Sequence, residues 1–174
     1  MLDIITLVSE NTNNSWVNQA VSSVNEAIKY SEVDCNYIIS PGVPGNIRKA
    51  RLQALKKSKA DYIAWVDDDD YLLPNALTNT TKYLNEDYTA IFAREMRLFN
   101  NGLFKPNYRR HHFSIYRRDV VEKALNNNLF WTEFVRYAEQ PVMDLYEWVY
   151  IYRIYGSPGS VVRGKDNYKR GLKS

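Results

Sequence analysis

The sequence predicts an α/β fold, a single compact domain in which a mixed, mainly parallel sheet is flanked by helices. Three observations predict it. Apolar runs of strand length alternate with segments of helical period from Ile4 to Leu84. Turn formers stand where the period changes, at Ser40-Pro41-Gly42, Pro44-Gly45-Asn46 and Asn100-Asn101-Gly102. No repeat, low-complexity tract or long linker divides the 174 residues, a length that one domain fills.

The elements follow in order. Ile4 to Val8 is a short apolar run, read as a buried strand. Asn13, Asn14 and Ser15 are capping residues for a helix from Trp16 to Tyr30, where Val17, Ala20, Val21, Val24, Ala27 and Ile28 recur at helical spacing. Tyr37 to Ile39 is a second strand, stopped by the Pro-Gly pair, and Ile47 to Lys57 a second helix. Tyr62 to Val66 is a third strand, apolar throughout and therefore covered on both faces. Pro74 opens a helix that runs to Leu84, since a first-turn proline forfeits no helical hydrogen bond. Ala90 to Phe99 is a strand turned by Asn100-Asn101-Gly102, and Arg118 to Leu125 a short helix. Trp131 to Tyr150 is read as helical, with Phe134, Tyr137, Ala138, Val142, Leu145 and Trp148 to pack, and Val149 to Tyr155 ends as a strand.

Composition removes several classes. No apolar run approaches the ~20 residues of a membrane span. The first ten residues, MLDIITLVSE, lack the basic start and cleavage site of a signal peptide. Cys35 is the one cysteine, so no internal disulfide forms and a reducing cytoplasm is the expected compartment. The net charge of +3 is unevenly spread. Residues 1–104 carry 10 basic and 13 acidic side chains, and residues 105–174 carry 13 basic and 7 acidic, so the halves stand at −3 and +6. A basic half suits an anionic partner such as a diphosphate or a nucleic acid.

Asp67, Asp68, Asp69 and Asp70 follow the third strand directly. In a parallel sheet that is the edge where ligands bind. Adjacent carboxylates repel, and a cation offsets the repulsion. Oxygen-rich sites suit Mg²⁺ or Mn²⁺, and Mg²⁺ takes few protein carboxylates and leaves room for phosphate oxygens. The competing reading is a solvated acidic turn ahead of the next helix.

Asn46-Ile-Arg-Lys-Ala-Arg51 followed by Asp61-Tyr-Ile-Ala-Trp-Val-Asp-Asp-Asp-Asp70 and Pro74 resembles the GT-A family 2 glycosyltransferases. Ala138-Glu139-Gln140 resembles their Glu-Asp base segment, and Tyr152-Arg153 with Ser157 their late Y-R-x-x-x-S segment. The resemblance implies a GT-A, Rossmann-like domain over residues 1–174, with residues 1–104 binding a nucleotide-sugar and residues 105–174 serving the acceptor. It implies that Asp69 is the principal metal ligand of a D-x-D motif and that Asp67 contacts the metal or the ribose. Asp68, Asp70, Asn46 and Arg51 would line the donor pocket, and Glu139 or Asp144 would be the base of an inverting reaction. The expected cofactors are Mn²⁺ or Mg²⁺ with a nucleotide-sugar donor, UDP-sugar favoured. Two departures stand out: the turn after the second strand is Ser40-Pro41-Gly42 and lacks the family's aspartate, and the base segment reads Glu-Gln.

His111 and His112 are adjacent, and in an extended segment they point to opposite faces. His112 is a candidate to complete the metal shell. Arg109, Arg110, Arg117 and Arg118 flank the pair and suit phosphate. Seventeen asparagines and fourteen tyrosines, both drawn from AT-rich codons, point to an AT-rich genome such as a phage's. With tyrosines interleaved among the basic residues, a hydroxymethylated base in phage DNA is one acceptor, in the host cytoplasm, and a polysaccharide or other glycan is the alternative. A metal-dependent nuclease or nucleotidyltransferase and a non-catalytic nucleotide-binding module are the competing classes.

Overall fold

The computed structural model describes residues 1–84, 86–107, 112–127, 134–138 and 140–154. Each early element begins or ends where its residues require. Asn13 Oδ1 accepts from Ser15 N at 2.8 Å and starts α1 (Asn14–Ile28), which follows β1 (Leu2–Val8). Gly42 closes β2 (Cys35–Pro41) by donating its N–H to Val8 O at 2.7 Å; a Cβ there would lie 3.2 Å from the same oxygen. Asn46 Oδ1 caps α2 (Ile47–Leu55) through Lys49 N at 2.9 Å. β3 (Tyr62–Trp65) then runs into the aspartates, and β4 (Tyr71–Leu72) into α3 (Ala76–Thr81).

The second half is β5 (Ala90–Leu98), β6 (Phe104–Asn107), β7 (Ser114–Arg117), α4 (Arg118–Asn126), α5 (Phe134–Tyr137) and β8 (Val142–Arg153). Gly102, with φ +77, makes the turn between β5 and β6 that the Asn-Asn-Gly run predicts. The expected helix over Trp131 to Tyr150 is not formed. Of its described part only Phe134 to Tyr137 is helical, and Val142 to Arg153 is the longest strand described. The reason lies in the residues. Pro141 cannot continue a helix, and Val142-Met-Asp-Leu-Tyr-Glu-Trp-Val-Tyr-Ile-Tyr is rich in the β-branched and aromatic side chains that fill a pleated surface. The helix after Pro74 begins at Ala76 and ends at Thr81, shorter than expected.

The strands form one mixed sheet in the order β2-β1-β3-β7-β5-β8-β4, with β6 also paired to β5. β1 is parallel to β2 and to β3, and β5 is parallel to β8. β7 is antiparallel to both β3 and β5, β6 to β5 and β4 to β8. One core, with Leu2, Ile4, Val24, Leu77 and Val149, lies under α1 and α3. The other, with Ile5, Ile63, Ala54, Val121 and Phe134, lies under α2, α4 and α5. This is the layered α/β arrangement expected, with the sheet as the middle layer. No helix among the described residues is long and apolar enough to cross a membrane.

Candidate functional site

The carboxyl end of β3 delivers the four aspartates, and the far end of β8 fixes them. Asp70 is fully buried. Its Oδ1 accepts from Arg153 N at 2.7 Å and its Oδ2 from the Tyr150 hydroxyl at 2.8 Å. The same hydroxyl oxygen accepts from Asp67 N at 3.1 Å. Asp68 Oδ2 accepts from Ser9 N at 2.7 Å, which ties the loop to the end of β1. The Arg153 guanidinium bonds Asp69 O and Gln19 Oε1 and lies over the rings of Trp16, at 5.4 Å, and Tyr71, at 5.0 Å. The loop is held from three directions and is not a solvated turn.

Charge in this loop is costly. Burial, and then repulsion from Asp67 and Asp68, pushes the Asp69 carboxyl up to about 7 against the pull of Arg153. Burial raises Asp70 well above the ordinary carboxylate range, and Asp69 and Asp67 add to that. Asp68 is raised mainly by burial as well.

A narrow cavity opens beside the loop, lined by Arg51, Trp65, Asp67, His112, Tyr116, Phe134 and Tyr150. Arg51 is buried at 2% exposure, with its guanidinium 5.1 Å from the Trp65 ring centre and 5.5 Å from that of Phe134. Burial lowers it to about 10 while Asp67 opposes the shift, so it stays cationic at neutral pH. The buried indole N–H of Trp65, which lines this cavity, has no hydrogen-bond partner among the described residues.

Topology brings His112 to this place. β7 runs antiparallel to β3, so the residues that precede β7 sit level with the end of β3. Asp67, Asp70 and His112 each offer a ligand atom, and these lie within 4.8 Å of one another. Two carboxylates and an imidazole form a donor set that fits Mn²⁺, and Mg²⁺ through its oxygens.

The same topology carries Arg117 and Arg118 to the opposite edge. Arg117 is level with Tyr62 and is paired with Asp119. Arg118 bonds Ala60 O at 2.7 Å and Ser58 Oγ at 2.6 Å. These two arginines hold the start of β3 and do not face the aspartates, contrary to the expectation that they serve phosphate beside the histidines. Asn46, expected in the donor pocket, spends its Oδ1 on the α2 cap. Asp144 lies near the start of β8, in an ion pair with Arg94 at 2.7 Å, and does not line the cavity. Asp69 is outside the three-residue ligand group although it is adjacent to it. Arg109, Arg110, His111 and Glu139 lie outside the described residues.

Sequence reasoning missed Tyr150 and Trp65 as site residues, and gave Arg153 no role. The available signal was the alternation of Val149-Tyr-Ile-Tyr-Arg153, which puts both tyrosines on one face of a strand.

A family profile described as Glycosyl transferase family 2 matches residues 14–144. A comparison with curated proteins finds no match. Among solved structures, the chain is similar to S. aureus TarS 1–349 in complex with UDP-GlcNAc, with a TM-score of 0.67 and 14% identity, over 91% of this chain and 60% of that one. It is also similar to a glycosyltransferase involved in the glycosylation of the major capsid of PBCV-1, with a TM-score of 0.52 and 11% identity over 98% of each chain. A 4-diphosphocytidyl-2C-methyl-D-erythritol synthase from Anaerococcus prevotii gives a TM-score of 0.55 at 7% identity, over 99% of this chain and 96% of that one. The chain therefore spans about 60% of the TarS fragment. At these identities the likeness is one of fold, the GT-A fold.

Proposed function

The chain belongs to glycosyl transferase family 2, and from that membership we propose that it moves a sugar from a nucleotide-sugar, a UDP-sugar by preference, to an acceptor hydroxyl with inversion and with the help of a divalent cation. The observation that carries this reading is the meeting of Asp67, Asp70 and His112 within 4.8 Å beside the buried cation Arg51. Such a group holds an ion against a pyrophosphate.

Asp67, His112 and Asp70 would hold Mn²⁺ or Mg²⁺, with Asp69, the second acid of the D-x-D pair, as the further oxygen donor. An ion bound there neutralises the charge that develops on the leaving diphosphate. Arg51 supports the same charge through its fixed guanidinium, in a setting where burial strengthens the interaction. The Trp65 N–H offers a hydrogen bond to a donor oxygen. Asn46, Asp68, Arg109 and Arg110 complete the donor side, with Asp68 acting through its tie to β1. The acceptor hydroxyl must give up its proton to a carboxylate. Glu139 is assigned this role first, and Asp144, already paired with Arg94, second. The basic half favours an anionic acceptor, so DNA with hydroxymethylated bases is the first to try and a glycan the second.

The test is UDP release. The protein is incubated with UDP-glucose, UDP-galactose or UDP-GlcNAc, with and without MnCl₂, and with hydroxymethylated DNA or a glycan. Cation-dependent UDP release that rises with one acceptor is expected, and NMR of the product reads the anomeric outcome. No nucleotide release or binding under any of these conditions would overturn the proposal.

A further inference from the structure

Glu95 is an acid inside a buried strand, 2% exposed. It lies on β5 just after a break in the β5–β8 register, an irregularity of the kind that re-aims side chains beside functional sites. Register places it opposite Asn107 on β6 and opposite Tyr150 on β8. Three strands thus carry Asn107, Glu95 and Tyr150 in one row across the sheet. Glu95 Oε1 accepts from the Asn107 amide, and Glu95 Oε2 meets His112 Nδ1. The His112 ring is stacked on Tyr152, with centroids 3.9 Å apart, and on Tyr150 at 5.7 Å and 6°.

We propose that Glu95, anchored by Asn107, is the positioning residue of the cation site: it takes the Nδ1 proton of His112 as a hydrogen bond and so presents Nε2, unprotonated, between Asp67 and Asp70. The inference rests on the reading of His112 as a metal ligand. Carboxylates behind ligand histidines commonly fix tautomer and ring orientation in this way. Here the stacked tyrosines restrict the ring's tilt, the carboxylate selects its proton, and Asn107 stops the carboxylate from turning. A glutamine at position 95 that keeps its oxygen on the Asn107 amide must offer N–H to Nδ1. That selects the tautomer whose Nε2 carries the proton and cannot ligate.

The test measures Mn²⁺ affinity with UDP present for the full chain, for Glu95→Gln, for His112→Ala and for the double variant, beside unfolding temperatures without metal. Glu95→Gln is expected to weaken Mn²⁺ roughly 10–100-fold. In the His112→Ala background the same change should add almost nothing, because it acts through the missing ring. Glu95→Gln binding like the parent while His112→Ala is weakened, or losses that simply add, would overturn the inference. His112→Ala binding like the parent would instead remove the metal-ligand reading beneath it. Nitrogen NMR of labelled histidine in the complex with UDP and Cd²⁺, a diamagnetic ion that takes imidazole as Mn²⁺ does, decides even if Glu95→Gln does not fold. A proton on His112 Nδ1 alone is expected, and a protonated Nε2 overturns the proposal.

Discussion

The two ends of β3 solve the same problem in opposite ways. At its start Asp3, with no exposed surface, accepts from Lys59 N at 2.9 Å and Ala60 N at 3.1 Å, and Arg118 closes the same corner on Ala60 O and Ser58. Burial works against its charge, but the Ser58 hydroxyl and the two backbone donors outweigh it, and its carboxyl stays below the ordinary range. At the other end Asp69 and Asp70 are buried too, but beside further acids, and both are raised. One end stabilises its ionised acid with the chain's own hydrogen-bond donors. The other carries repulsion that a proton or an added cation relieves. The first edge is built for stability, and the second is where the proposed cation site lies.

Four experiments break or sharpen this contrast. The largest effect is expected for Asp69→Ala: loss of transfer by at least about a hundredfold, taking the worth of one ligand-supporting group as a lower bound. The unfolding temperature should stay level or rise, since a repelled buried acid has gone. Retained turnover would reject the metal role. Asp3→Ala should do the reverse. It leaves two backbone donors unmatched, costs about 2–4 kcal/mol and lowers the unfolding temperature by roughly 5–10 °C. Activity per folded molecule should hold, and an unchanged melting curve would erase the distinction between the edges.

The third effect is a pH dependence. Between the ordinary carboxylate value of 3.8 and about 7, folded Asp69 keeps a proton that the unfolded chain has released. Its contribution to metal-free stability therefore falls as pH rises through that window, and Asp68 and Asp70 act in the same direction. Asp3, lowered, works oppositely and loses its contribution as pH falls toward acid. A cation needs the ionised acids, so MnCl₂ should raise the melting temperature more at about pH 8 than at about pH 5.5. An equal gain at both would mean that the acidic loop does not hold the ion. The smallest effect is expected for removal of residues 165–174, which carry Lys165, Lys169, Arg170 and Lys173. KM for an anionic acceptor should rise several-fold, more steeply at low salt, with the donor KM unchanged. Equal changes in both would separate the tail from the acceptor.

Legibility in the sequence followed the range of the interactions. The β1–α1–β2–α2–β3 stretch was readable because its signals are local: Asn13 and Asn46 cap, Gly42 turns, and Ile4 and Ile63 mark buried strands. The aspartate loop was readable for the same reason, since an apolar strand running into four acids declares its place. β6 and β7 went unseen because Phe104-Lys-Pro-Asn and Ser-Ile-Tyr-Arg117 are four-residue strands defined by their partners. The last part of β8, from Val149, was legible as a strand, but Val142 to Trp148 was read as helix because aromatic packing positions fit either period until Pro141 is weighed. Glu95 and Asn107 join the site only through pairings across the sheet, which no local pattern encodes.

The clasp on Asp70 spans 83 positions of chain, from the acid to Arg153. On a ribosome the aspartates emerge long before the strand that secures them, and for that interval Asp70 has neither the Tyr150 hydroxyl nor the Arg153 amide. A nascent or shortened chain that stops before Tyr150 carries every candidate ion ligand named here and still lacks the framework that spaces them. The spacing of the acidic loop is thereby tied to completion of the sheet, and so is any ion it would hold.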